Sequence, residues 1–142
     1  VFDEVTAATV QQYVDEQPVD SVFGIFETAL RGNREALHQL LRDVEPREDP
    51  FRVFGLLSGQ VFQLAALAAS DESTTDTAKA IGVHPYAAGK LAPLANRCSR
   101  QQIKHIVEAF AEADSAMKLS KAGPWVLIEQ ALMKVAHAAS AK

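Results

Sequence analysis

An all-α fold is predicted for this chain: a compact bundle of about seven to eight helices. Three observations predict it. Helical periodicity runs through almost every segment, and no stretch shows convincing strand alternation. Alanine supplies 24 of the 142 residues, while glycine (7) and proline (6) are few, a mix that favours helix. Caps and breakers fall between the periodic segments, where helix boundaries need them.

The elements follow in order. Residues 3–14 read as a short helix with Val5, Val10, Tyr13 and Val14 on its apolar side, ended by Gln17-Pro18. Asp20 is a suitable N-cap for a helix over 21–31, with Val22, Phe23, Phe26, Ala29 and Leu30 inward. Gly32 suits a left-handed closing residue, and Asn33 caps a third helix over 34–45 that buries Ala36, Leu37, Leu40, Leu41 and Val44. The turn Arg31-Gly32-Asn33 is short enough to force an antiparallel hairpin. Asp49-Pro50 is a cap and first turn for a helix over 50–69. That helix is apolar nearly all round, so neighbours are expected to surround it. Gly55 and Gly59, four apart, are expected to let one neighbour come close.

Residues 70–77 are polar and lead into a short helix ended by Gly82. Another begins at Pro85 and runs towards Asn96, with Pro93 expected to kink or split it. Ser99 and Gln102 form a capping box for a long helix over 100–119. Its buried side draws on Ile103, Ile106, Val107, Phe110, Ala113 and Met117. Gly123-Pro124 breaks the chain, and a last helix runs from Trp125 to about Ala138.

Composition bounds the function. Apolar residues make up 48% and charged residues 23%, normal for one globular domain with a real core. A lone cysteine, Cys98, excludes an internal disulfide and a multi-cysteine metal site, and suits a reduced cytoplasmic protein. The net charge of −4 is uneven: residues 1–50 hold 4 Lys/Arg against 11 Asp/Glu, and the rest hold 10 against 7. The first third should repel nucleic acid, and the remainder is only mildly basic. The start, Val1-Phe2-Asp3-Glu4, has neither an initiator methionine nor the basic and apolar regions of a signal peptide, so a fragment or processed product is expected. Residues 53–70 carry no charge, but Gly55, Ser58, Gly59, Gln60 and Gln63 interrupt them. A buried central helix is expected there rather than a membrane span.

No enzyme constellation is present in the sequence. It lacks the Gly-x-x-x-x-Gly-Lys phosphate loop and the Gly-x-Gly-x-x-Gly fingerprint. His38, His84, His105 and His137 are scattered, with no metal-type spacing, so no cofactor or metal is expected. His105 and Glu108 sit at i, i+3, where a surface hydrogen bond is expected; Asp114 and Lys118 sit at i, i+4, where a modest ion pair is expected. The pair of short helices around Ile81-Gly82-Val83 has helix-turn-helix spacing. A DNA reader would carry base-contacting residues at the start of its second helix. Here that end is His84-Pro85-Tyr86-Ala87-Ala88-Gly89-Lys90, poor equipment for base reading, and a helix-turn-helix DNA-binding module is the alternative reading. The last helix is apolar on more than one face, which suggests a partner chain, with Trp125, Ile128, Leu132 and Val135 as candidate contacts.

Taken together, several stretches resemble the C-terminal helical domain of the delta subunit of the bacterial DNA polymerase III clamp loader. They are Val22-Phe23 through Val44, with Arg31-Gly32-Asn33-Arg34-Glu35-Ala36-Leu37 at its centre, and Asp49-Pro50-Phe51 through Leu64. Ala80-Ile81-Gly82-Val83-His84-Pro85-Tyr86 with Lys90-Leu91 comes next, then Ala113-Asp114 with Lys118, then the final apolar helix. The resemblance spans residues 19–138, and residues 1–16 look like the tail of the family's lid-like middle domain, with the collar domain over 19–142.

It implies a non-catalytic collar piece that joins the loader's subunits, both the ATPase motor subunits and a delta-prime-like one. It implies service in DNA replication within the polymerase holoenzyme. It further implies that the sliding clamp is gripped only by an N-terminal domain absent from this chain, that DNA is met indirectly, and that no membrane is involved.

Overall fold

The computed structural model describes residues 21–70, 73–82 and 84–140. The helix expected over 3–14, the Asp20 cap and the domain tail over 1–16 lie outside the described residues. Among those described, seven helices carry the fold and there is no strand. They are α1 (Ser21–Leu30), α2 (Arg34–Val44), α3 (Pro50–Ala69), α4 (Thr74–Ile81), α5 (Pro85–Arg97), α6 (Arg100–Lys118) and α7 (Pro124–Ser140).

Local chemistry sets the boundaries. Asn33, Asp49, Ser73 and Ser99 each accept a backbone N–H of the first turn that follows, satisfying groups with no partner inside the helix. The capping box is complete: Gln102 N donates to Ser99 Oγ at 3.1 Å and Ser99 N donates to Gln102 Oε1 at 2.7 Å. Gly82 closes α4 at φ +75°. Gly32, at φ +76°, carries a second constraint, because a Cβ there would lie 2.5 Å from Ser140 Oγ. The turn after α1 is therefore pressed against the end of α7, and any larger residue at 32 is strained twice.

Two helices share the middle: α3 packs on α4, α5, α6 and α7, and α7 packs on α2, α3 and α6. The partners of α7 run antiparallel on two sides: Lys134 donates to Glu112 on α6 at 2.8 Å, and His38 on α2 meets Glu129 at 2.8 Å. Gln102 at the start of α6 donates to the carbonyls of Ala138 and Ala139 at the end of α7. Helix α3 packs on α7 as well, and the rings of Phe54 and Phe110 stack 5.6 Å apart between α3 and α6. The core joins Ile25, Phe26, Leu37, Leu57, Leu64, Leu91 and Ile106 to α7.

Four expectations are corrected. The second apolar side of α7 faces its own protomer: Ile128, Leu132 and Val135 are fully buried and Trp125 is half-buried against the core. Two-sided hydrophobicity here means burial between α2, α3 and α6, not an open face for a partner. Helix α5 is not split at Pro93 but runs through it as one helix. The ring lies exposed, the residue one turn before it is Gly89, and a single lost hydrogen bond near the helix end is tolerated. Val107 is exposed, so the buried stripe of α6 is narrower than expected. Helix α3 has neighbours as expected, α4, α5, α6 and α7, but they do not cover it fully: only a third of its apolar window is buried.

Leu132→Ala should lower the unfolding free energy by about 2–5 kcal/mol, as for other large-to-small changes in a filled core. Denaturant titration followed by circular dichroism checks this.

Candidate interaction surface

One face of α3 carries apolar surface that is open among the described residues. Phe51, Gly55, Ser58 and Phe62 recur at i, i+4, i+7 and i+11, a single helical stripe. The opposite side, Val53, Phe54, Leu57, Val61 and Leu64, is in the core. Phe51 and Phe62 are each 61% exposed, and Tyr86 on the adjoining α5 is 67% exposed. Three large rings in water on neighbouring helices exceed the scattered single residues that a surface normally shows.

A groove of about 260 Å³ lies beside this stripe, between α1, α3 and α5. Gly55 and Gly59 form its floor, and Phe23, Leu56, Tyr86 and Leu91 its apolar walls. A Cβ added at either glycine would meet nothing within 4 Å. The close helix approach expected at this pair is therefore absent, and the missing side chains leave open space instead. Three polar residues, Gln60, Gln63 and Lys90, complete the lining. Lys90 Nζ lies 5.4 Å from the ring centre of Phe23 and 4.8 Å from that of Tyr86, a cation held over two aromatic faces. Gln60 is 8% exposed, and its buried Oε1 has no hydrogen-bond partner.

The family-like run His84-Pro85-Tyr86…Lys90-Leu91 divides its labour around this groove. His84 Nδ1 accepts the Tyr86 N–H at 3.1 Å and so caps α5, with Pro85 in the first turn. Leu91 is buried and anchors the helix. Tyr86 and Lys90 line the groove. The one lysine offered to DNA by the helix-turn-helix reading is thus laid over rings rather than held out for a base edge. Asp114 and Lys118 lie elsewhere, as an exposed ion pair of 2.8 Å on α6, a contribution of a few tenths of a kcal/mol in such a setting. Phe51, Phe62 and Gln60 were not singled out from sequence. The signal was the surplus of apolar residues in α3, which reads equally well as burial.

A second, wider cleft of about 540 Å³ separates α6 from α7 and gathers Arg34, His105, Glu108, Glu112, Lys134 and His137. Its charged groups are exposed and each has a partner, within the cleft or beside it. Lys134 bonds Glu112 and holds that carboxyl below its ordinary value, chiefly through the hydrogen bond. Arg34 meets His137 at 3.2 Å. His105 pairs with Gln101 at 2.7 Å rather than with Glu108, whose neighbour is Lys104 at 4.0 Å. No cluster of three or more metal-ligating side chains occurs among the described residues. Cys98 is half-buried, and burial raises its thiol pKa against the opposing pull of Arg97.

A sequence model of the C-terminal domain of the DNA polymerase III delta subunit matches residues 19–135, most of the chain. The chain belongs to this family. Among solved structures, the Bacillus subtilis DNA clamp loader delta protein, YqeN, superposes with a TM-score of 0.75 at 20% sequence identity, over 84% of this chain. At that identity the likeness shows the fold. The chain spans 37% of the length of that protein. No curated protein sequence matches the chain. Within this delta C-terminal domain, the all-helical architecture is thus supported from both sequence and fold.

Glycine inside a helix costs about 1 kcal/mol relative to alanine, and nothing among the described residues requires Gly55. Gly55→Ala should raise the unfolding free energy by about 0.5–1 kcal/mol. Gln60→Met, which removes a buried acceptor without a partner, should stabilise by about 1 kcal/mol or more. Chemical denaturation of each variant tests both, and a loss of stability in either would contradict the packing described.

Proposed function

We propose that this domain is the non-catalytic collar module of a clamp loader delta subunit, and that the open face of α3 and α5, not α7, is where it meets sister subunits. Family membership supports the loader role. The observation that carries the placement is the apolar stripe Phe51–Phe62, exposed among the described residues. The partners on this reading are the ATPase motor subunits and a delta-prime-like subunit. The sliding clamp is gripped by domains outside this chain, DNA is met through the assembled loader, and the site of action is the cytoplasm during replication.

Association would draw on apolar burial, at roughly 25 cal/mol per Å² before the costs of ordering and lost motion. Aromatic side chains dominate such interfaces, because each removes a large apolar area from water at little conformational cost. The polar interruptions in α3 (Ser58, Gln60 and Gln63) suit a protein partner better than lipid.

The test uses full-length delta protein carrying Phe51→Ser and Phe62→Ser together. Both side chains are exposed, so helix content by circular dichroism should hold. Co-purification with the motor subunits should fall by about tenfold or more, the scale of losing interface aromatics. A Val126→Ser variant on the exposed part of α7 should assemble normally. Full assembly by the double α3 variant would refute the placement.

A further inference from the structure

We draw no further inference here: the strongest candidate, the cleft between α6 and α7 that gathers Arg34, His105, Glu108, Glu112, Lys134 and His137, carries nothing, because its two carboxylates balance its two permanent cations, all six side chains are exposed, and nothing among the described residues shows what the cleft would hold.

Discussion

Helix α7 is greasy on two sides, and a helix of that kind is stable in water only when both sides are covered. Its position between α2, α6 and α3 therefore dictates much of the remaining geometry. The ends of the neighbouring helices are tied to it by polar contacts: Gln102 to the last carbonyls of α7, and His38, Arg34 and Glu112 along its flanks. The left-handed turn at Gly32 is pressed against Ser140 by the same requirement. These flanking pairs are exposed and contribute little energy each. They fix the register of helices whose association is driven by the buried Ile128, Leu132 and Val135.

Filling one apolar helix leaves another incompletely covered. With α7 enclosed, α3 gives one side to the core and keeps Phe51 and Phe62 in solvent. Helix α5 packs closely on α3, but at Gly55 and Gly59 no side chain fills the space, so a groove remains beside the contact. A domain devoted only to its own stability would fill that groove and remove the unpaired Gln60 acceptor. Local departures of this kind concentrate where a protein binds something. The fold and the candidate interface are thus two consequences of one allocation of apolar surface.

Much of the fold was legible in the chain. The caps at Asn33, Asp49 and Ser99, and the left-handed glycines at 32 and 82, act within four or five residues and do not depend on distant contacts. The inward residues of α1 and α2 followed largely from periodicity, with Ile25 added and Phe23, Ala36 and Leu40 less buried than expected. The candidate site was less legible. Helices α3 and α7 have the same signature, apolar residues on more than one side, and periodicity cannot tell which of two such helices is enclosed.

What the sequence determined by itself was therefore local and compositional: an all-helical chain, its helix boundaries, its kinship with the delta C-terminal domain, and a surplus of apolar surface greater than one small core absorbs. Only the tertiary structure decided where that surplus goes. Enclosure depends on which helices are neighbours in space, a property of contacts between residues as far apart as Arg34 and His137. The same long-range packing turned two glycines that looked like a contact point into the floor of a groove.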